Sequence, residues 1–219
     1  MPKKESQKAK KERAVAIVEA LKVIYPDATC ALQYENDPWR LLVMGRLSAQ
    51  CTDARVNLVS KALFERYPNA ETMASADPEE LGKYIFSCGL YKTKARDLIG
   101  ASKRLLEAYG GVLPDTMEAL LTLPGVGRKI ANLLLGDIFQ KPAIVADTHC
   151  IRISRRLGLV ARADKSPEKV EKTLVALIEP REQSDFCHRI VSFGREYCKA
   201  RGNDCATCPL SDLCPKIEV

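Results

Sequence analysis

An all-α fold is what this 219-residue sequence predicts, on three observations. Proline preceded by Asp or Ser opens several segments in the manner of helix N-termini, and apolar residues recur at spacings of three and four. Strand signals are nearly missing: the one short apolar run, PAIVA at 142–146, has no second run to pair with.

Taken in order, MPKKESQKAKKER over residues 1–13 reads either as an ordered helix start or, more plainly, as a solvated basic tail, and AVAIVEALKVIYP as a helix stopped by Pro26. DARVNLVSKALFERYP carries Val56, Val59, Leu63 and Phe64 on one helical face. In ADPEELGKYIF, Asp77 is the expected N-cap, Pro78 the first helical residue and Glu80 the third, a capping-box arrangement. KTKARDLIGASKRLLEAYGG sets Ala95, Leu98, Ile99, Leu105, Leu106 and Tyr109 on one face and ends at Gly110. PDTMEALLTL repeats the opening pattern with Asp115 and Glu118, and KSPEKVEKTLVALIEP begins at Ser166 and Pro167 and stops at Pro180. About nine or ten helices are expected, with no solenoid repeat and no Gly/Ser linker.

Lys plus Arg outnumber Asp plus Glu by 34 to 28, a formal charge of +6. That excess suits a polyanionic partner without requiring one. A hydrophobic content of 46% excludes a disordered chain. No run approaches the roughly 18 apolar residues of a membrane span, and the basic start lacks the apolar centre of a secretory signal. A soluble, intracellular protein without a membrane partner is expected.

Five of the nine cysteines, Cys30, Cys51, Cys88, Cys150 and Cys187, are scattered singly, as buried thiols in a reducing compartment are. The other four, Cys198, Cys205, Cys208 and Cys214, fall within 17 residues as C-x6-C-x2-C-x5-C. Four thiolates so close in sequence can wrap one metal centre. Zinc accepts four sulfurs tetrahedrally and a [4Fe–4S] cube accepts them at its corners, and the spacing does not choose between them.

LPGVGRKIANLLLGD at 123–137 interrupts a helical pattern and restarts it at once. Two helices joined by Pro124-Gly125-Val126-Gly127 fit this stretch, the second starting near Arg128 and burying Ile130, Leu133, Leu134 and Ile138. Glycines tolerate positive φ and let the backbone come close to a ligand. The first amides of a helix lack intrahelical partners and, with the helix dipole, favour an anion. Val126 would pin the turn to the core. The dinucleotide fingerprint fails, because Ile130 stands where its third glycine belongs, and the P-loop pattern fails as well. What remains resembles the helix-hairpin-helix motif of DNA-binding proteins, which grips phosphates without reading sequence. A plain αα-corner would have the same turn.

Lys129 lies in the first turn of the restarted helix, where the dipole and adjacent Arg128 oppose a cation. A neutral amine is a nucleophile that attacks carbon and forms a Schiff base; a surface lysine pairing with phosphate is the plainer alternative. Eighteen residues on, VADTHCIRISRRLGL puts Asp147 ahead of a helix running to about Leu157, where Gly158 caps it. Asp is a preferred N-cap. A carboxylate also stabilises a developing sugar cation and shuttles protons, and the two roles are compatible. His149 and His188, the only histidines, form neither a triad nor a metal set and read as structural.

LPGVGRK, the VADTH segment and the terminal cysteine spacing together resemble the endonuclease III family of DNA glycosylases. LSAQCTDARVN (47–57) and CGLYKTKA (88–95) are similar to further segments of that family, so the resemblance covers nearly the whole chain. It implies a six-helix domain with the helix-hairpin-helix at 31–141. Facing it would be a second helical domain, built from both termini (1–30 and 142–219) and holding a [4Fe–4S] cluster, with the active site in the groove between.

Position by position, Lys129 matches the family's nucleophile and Asp147 its essential carboxylate. Cys198, Cys205, Cys208 and Cys214 match the cluster ligands, and Gly125, Val126 and Gly127 the phosphate-binding hairpin. Gln50 and Leu90 match side chains that fill the duplex where a damaged nucleotide has been extruded. Flipping a base out leaves a gap that costs a few kcal/mol unless something fills it. The plainer roles are a helix-end polar residue at 50 and a core leucine at 90. Lys199 and Arg201, in the Cys198–Cys205 loop, match a phosphate contact that Asp204 weakens. Phe193 stands where some relatives have histidine, and Cys88 where an aliphatic wedge is expected on the DNA-facing side.

The activity implied is that of a bifunctional DNA glycosylase and abasic-site lyase. It would remove oxidised pyrimidines from double-stranded DNA and cleave 3′ to the abasic site by β-elimination through a lysine Schiff base. A monomer is expected, in the cytoplasm and on the nucleoid through DNA binding. One rival is an adenine or mismatch glycosylase of the same superfamily, which removes a base without cutting. Such enzymes commonly lack this lysine, and the five residues after Cys214 leave no room for the further domain of adenine glycosylases. The other rival is a non-catalytic DNA-binding protein with a structural metal, marked by salt-sensitive binding without turnover.

Overall fold

Eleven α-helices and no strand are found among residues 5–217, the part of the chain that the computed structural model describes. Along the chain they are α1 (Gln7–Ile24), α2 (Pro38–Leu47), α3 (Asp53–Arg66), α4 (Ala70–Ala74), α5 (Pro78–Ile85) and α6 (Tyr91–Tyr109). There follow α7 (Met117–Leu120), α8 (Arg128–Asp137), α9 (Thr148–Arg156), α10 (Pro167–Leu177) and α11 (Gln183–Glu196). The PAIVA run forms no strand. Among the helices the apolar period does not reveal is α4, five residues long and set by a capping box between Asn69 and Thr72.

Two compact units divide the chain: Cys30–Gln140, and the chain up to Thr29 together with that from Lys141 onward. Boundaries at 31 and 141 lie one residue from these.

In the Cys30–Gln140 unit, helix starts follow the capping logic. Asp37 accepts hydrogen bonds from the amides of Trp39 and Arg40 ahead of α2, Thr52 from Arg55 ahead of α3, and Asp77 from Glu79 and Glu80 ahead of α5. Each such cap contributes about 1 kcal/mol. At α7 the cap is Thr116, whose hydroxyl accepts from Ala119, and not Asp115 one residue earlier. The core gathers Leu41 and Met44 of α2, Leu63 of α3, Ile85 of α5, Leu98 and Leu105 of α6 and Leu134 of α8, each of them buried. Burying one such side chain stabilises by roughly 1.5–3 kcal/mol. Trp39 packs on Phe64 with ring centroids 5.6 Å apart. Val59, Leu106, Tyr109, Leu133 and Ile138, placed on core faces by their period, are half-buried, and Ser60 is buried beside Val59.

In the other unit, α1 packs Ala14, Ile17, Val18 and Leu21 into a core with Ile153, Leu174, Phe186 and Ile190. Of the two readings open for residues 1–13, the ordered helix start holds from residue 6 onward, and residues 1–4 lie outside the described residues. Ser6 caps α1 by accepting from the Ala9 amide at 3.1 Å. Arg13 pairs with Glu5 at 2.8 Å and donates to the carbonyls of Leu157 at 2.5 Å and Leu213 at 3.2 Å. Lys, Ala and Glu favour helix without any apolar period, which is why these first turns of α1 can pass for tail in the sequence.

Candidate active site

The Pro124–Gly127 turn is seated on two helices of its unit. Pro124 lies so close to Gly100 of α6 that a Cβ there would sit 3.2 Å from the proline ring. Beneath Gly125, Arg46 of α2 binds Asp97 of α6, Nη2 to Oδ2 at 2.6 Å. Gly125 has φ +74°, and a Cβ on it would fall 2.7 Å from the Asp97 Cβ and 2.8 Å from the Arg46 Nε. Both backbone angle and space therefore require glycine. Gly127 differs: its φ is −98°, and a Cβ there would meet nothing. The expectation of glycines chosen for positive φ holds at 125 and is corrected at 127, where the missing side chain instead leaves the helix end open. Val126 and Leu123 are buried and anchor the turn.

Gly127 is the N-cap of α8, which no side chain caps; the helix's first turn closes with Ala131 N–H donating to the Gly127 carbonyl at 3.0 Å. Lys129 is exposed in that turn. Uncapped amides, the positive end of the helix dipole and an exposed amine thus stand together, which is the chemistry of an anion site next to a nucleophile. In the other unit Asp147 is half-buried as the N-cap of α9, its Oδ1 accepting from the Cys150 amide at 2.7 Å. Oδ2 takes no part in the cap.

Gln50, in the α2–α3 loop, is exposed with φ +55°, and Leu90, just before α6, is 56% exposed with φ +49°. The core role for Leu90 is thereby excluded. Left-handed backbone at a non-glycine residue costs on the order of 1–3 kcal/mol and persists where surroundings over-determine it. Cys88 is 2% exposed, so it does not face outward as a wedge would. Burial, and then neighbouring Cys51, push its thiol up to about 11. Phe193 is likewise internal: it is 1% exposed in the core of its unit and stacks on Tyr197 at 5.8 Å. Both side chains thus lie inside their units and not on the surface.

Cys198, Cys205, Cys208 and Cys214 line one small cavity, together with Arg156 and Tyr197. Among the described residues, no three His, Cys, Asp or Glu side chains converge as closely as ligands of a single ion do. Burial pushes the Cys208 and Cys214 thiols up, while backbone N–H groups of Leu210 and Lys216 act in the opposite direction. The Lys216 amide lies 3.3 Å from the Cys214 sulfur. Soft sulfur donors around one cavity, some already met by N–H groups, fit an iron–sulfur cluster. The loop after Cys198 is held by two arginines of α9. Arg152 donates to the Cys198 carbonyl at 3.0 Å, and Arg156 to the Lys199 carbonyl at 2.6 Å and Asn203 Oδ1 at 2.9 Å. Lys199 and Arg201 project from that loop into solvent.

Sequence reasoning passed over Arg156 and the Arg46–Asp97 pair. Arg156 carried a readable signal, since it falls three residues after Ile153 on the buried face of α9. The Arg46–Asp97 pair joins helices far apart in sequence and left none.

Residues 43–180 match the model of the HhH-GPD superfamily of base excision DNA repair proteins. The chain is 44% identical to endonuclease III of Synechocystis sp., over 96% of this chain and 95% of that protein. It belongs to the endonuclease III family. Identity to the Bacillus subtilis endonuclease III is 45%, over 87% of this chain and 86% of that protein. A solved non-covalent endonuclease III–DNA complex superposes with a TM-score of 0.89 at 42% identity, covering 94% of this chain and 95% of that one. A trapped endonuclease III–DNA covalent intermediate, an estranged-adenine complex, gives 0.89 and 42%, covering 94% and 96%. At the family level endonuclease III is associated with an iron–sulfur cofactor.

Proposed function

We propose that this endonuclease III family chain is a bifunctional DNA glycosylase and abasic-site lyase acting on oxidised pyrimidines in double-stranded DNA. The observation that carries this reading is the exposed Lys129 in the first turn after an uncapped glycine hairpin, on a chain similar throughout to endonuclease III. Backbone amides at the hairpin hold a phosphate, which fixes the strand without reading sequence. Gln50 and Leu90 fill the stack vacated by the extruded nucleotide.

Lys129 Nζ then attacks C1′ of the deoxyribose, forming a C–N bond as the bond to the damaged base breaks. The sugar ring opens to a Schiff base, which acidifies the C2′ proton. Loss of that proton sends its electron pair into a C2′–C3′ double bond and expels the 3′ phosphate, and water then releases the lysine. Asp147 stabilises cationic character at the sugar and relays protons.

A [4Fe–4S] cluster on Cys198, Cys205, Cys208 and Cys214 is supported by the donor set and the family association. Its place in the reading is structural: it would order the loop that presents Lys199 and Arg201 to phosphate. Such a preparation is brown, whereas a zinc protein is colourless. The enzyme works on the nucleoid in the cytoplasm, as a monomer.

The test is a panel of end-labelled duplexes, each with one oxidised pyrimidine or an abasic site, scored separately for base release and nicking. Base release coupled to a 3′-side nick without added alkali is expected. Base release with intact strands, or salt-sensitive binding without turnover, would contradict it.

A further inference from the structure

Lys94 is completely buried, with 0% exposure. It lies in the first turns of α6, and no carboxylate is among its hydrogen-bond partners. Its Nζ donates to three backbone carbonyls: Leu47 at 2.8 Å, Ala49 at 2.7 Å and Cys88 at 2.9 Å. An ammonium has three N–H groups and an amine two, so only the protonated form satisfies all three acceptors. Burial lowers its pKa, and the nearby thiols of Cys88 and Cys51 oppose that shift. Leu47 ends α2 and Cys88 ends the 3-10 turn Phe86–Cys88. Two of the three carbonyls therefore carry the partial negative charge of a helix end, where a cation is favoured.

What these carbonyls belong to gives the contact its meaning. Ala49 directly precedes Gln50, and Cys88 is separated from Leu90 by Gly89 alone. One ammonium thus joins the backbones of the two loops whose tips are Gln50 and Leu90, 40 residues apart in sequence. Both tips have left-handed backbone angles, and so does Gly89 between Cys88 and Leu90. A strained tip keeps its geometry when its neighbours are fixed, and Lys94 fixes a neighbour of each.

We propose that Lys94 is a positioning residue that locks the Gln50 and Leu90 loops together, so that both side chains enter the duplex as one rigid unit. This rests on the proposed role of Gln50 and Leu90 in filling a vacated stack. It separates Lys94 from a residue that merely stabilises the fold. A stabilising residue affects every substrate alike. A residue that sets two stack-filling side chains matters most where there is a stack to fill.

The experiment compares wild type with Lys94→Met, which keeps the stem and removes the donors, on an abasic site in a duplex and in the same strand unpaired. The ratio of duplex to single-strand kcat/KM is expected to fall roughly tenfold or more, since an unfilled stack costs more than one decade's worth of binding energy. Leu90→Ala should lower the same ratio, and the double variant should fall less than the product of the singles, because the two act through one loop. An unchanged ratio, or full multiplication of the two effects, overturns the proposal.

If circular dichroism shows that Lys94→Met does not fold, Lys94→Gln, which retains two N–H donors, is measured in the same way. If neither folds, the wild-type ammonium is followed by NMR. Slowly exchanging Nζ protons that shift when a duplex with a tetrahydrofuran abasic analogue binds, and not with the single strand, support the proposal. Protons that exchange as fast as those of exposed lysines, or that shift with neither DNA, overturn it. A wild type inert on both substrates would instead overturn the parent reading, and this inference with it.

Discussion

In the Cys30–Gln140 unit, the residues assigned to DNA and chemistry stand on loops tied by groups of the chain itself. Lys94 holds the loops of Gln50 and Leu90, and the Arg46–Asp97 pair supports the turn that leads to Lys129. In the other unit, Arg152 and Arg156 hold the loop after Cys198, and four thiols line a cavity that Arg156 also lines. The first region is complete as polypeptide. In the second, the four sulfurs are the ligands of the proposed cluster, and on that proposal the order of the loop is linked to metal binding. Damage in the first region should therefore act on catalysis or stack filling, and damage in the cysteine loop of the second on cofactor retention and phosphate contact; Asp147, although it lies in the second unit, belongs with the first group.

The sharpest way to break that division is at Lys129. Lys129→Ala should lower strand cleavage by about four orders of magnitude, with an unchanged melting temperature because the side chain is exposed. Quantitative nicking assays beside thermal melts check both. At Asp147 two substitutions separate chemistry from capping. Asp147→Asn and Asp147→Ala should each lower kcat by roughly 10²–10⁴-fold. Asn also caps helices well, so only Ala should additionally cost about 1 kcal/mol in denaturant unfolding.

The hairpin glycines sharpen the comparison within the first region. Gly125→Ala should destabilise by about 1–3 kcal/mol, from its positive φ and the 2.7 Å approach to Asp97. Gly127→Ala should cost no more than about 1 kcal/mol, the loss of a favoured N-cap residue, and still bind DNA more weakly, since its Cβ would stand at the open helix end proposed to hold a phosphate. Equal stability losses at the two positions would contradict the geometry of the turn. Smallest of all, Lys199→Ala and Arg201→Ala should each reduce the slope of log affinity against log salt by about 1. Colour and nicking of saturated substrate should survive.

Much of this was legible in sequence because it is local. Asp77 with Pro78, the Gly125–Gly127 hairpin and the 17-residue run of four cysteines act over short stretches of chain, and the residue types in their order are the signal. The start of α1 was hidden because its charged run carries no apolar period, and the Leu157 and Leu213 carbonyls that Arg13 reaches lie well over a hundred residues away. Val59 and Ser60 exchanged places for a related reason: which of two adjacent residues is buried depends on the packed neighbour, and period alone leaves that open by one position. Lys94 was in plain view. It lies four residues before Leu98 on the apolar face of α6, where a lysine is out of place unless something buried needs its charge. The carbonyls that need it belong to distant loops, and no local pattern announces them.

The central claim is that Lys129 Nζ forms a covalent bond to the sugar. Borohydride reduction during turnover on an abasic duplex, followed by proteolysis and mass spectrometry of the cross-linked peptide, tests it directly. The account predicts one reduced adduct, on Lys129, that disappears in Lys129→Ala. An adduct on another residue, or trapping that persists undiminished in Lys129→Ala, would contradict it.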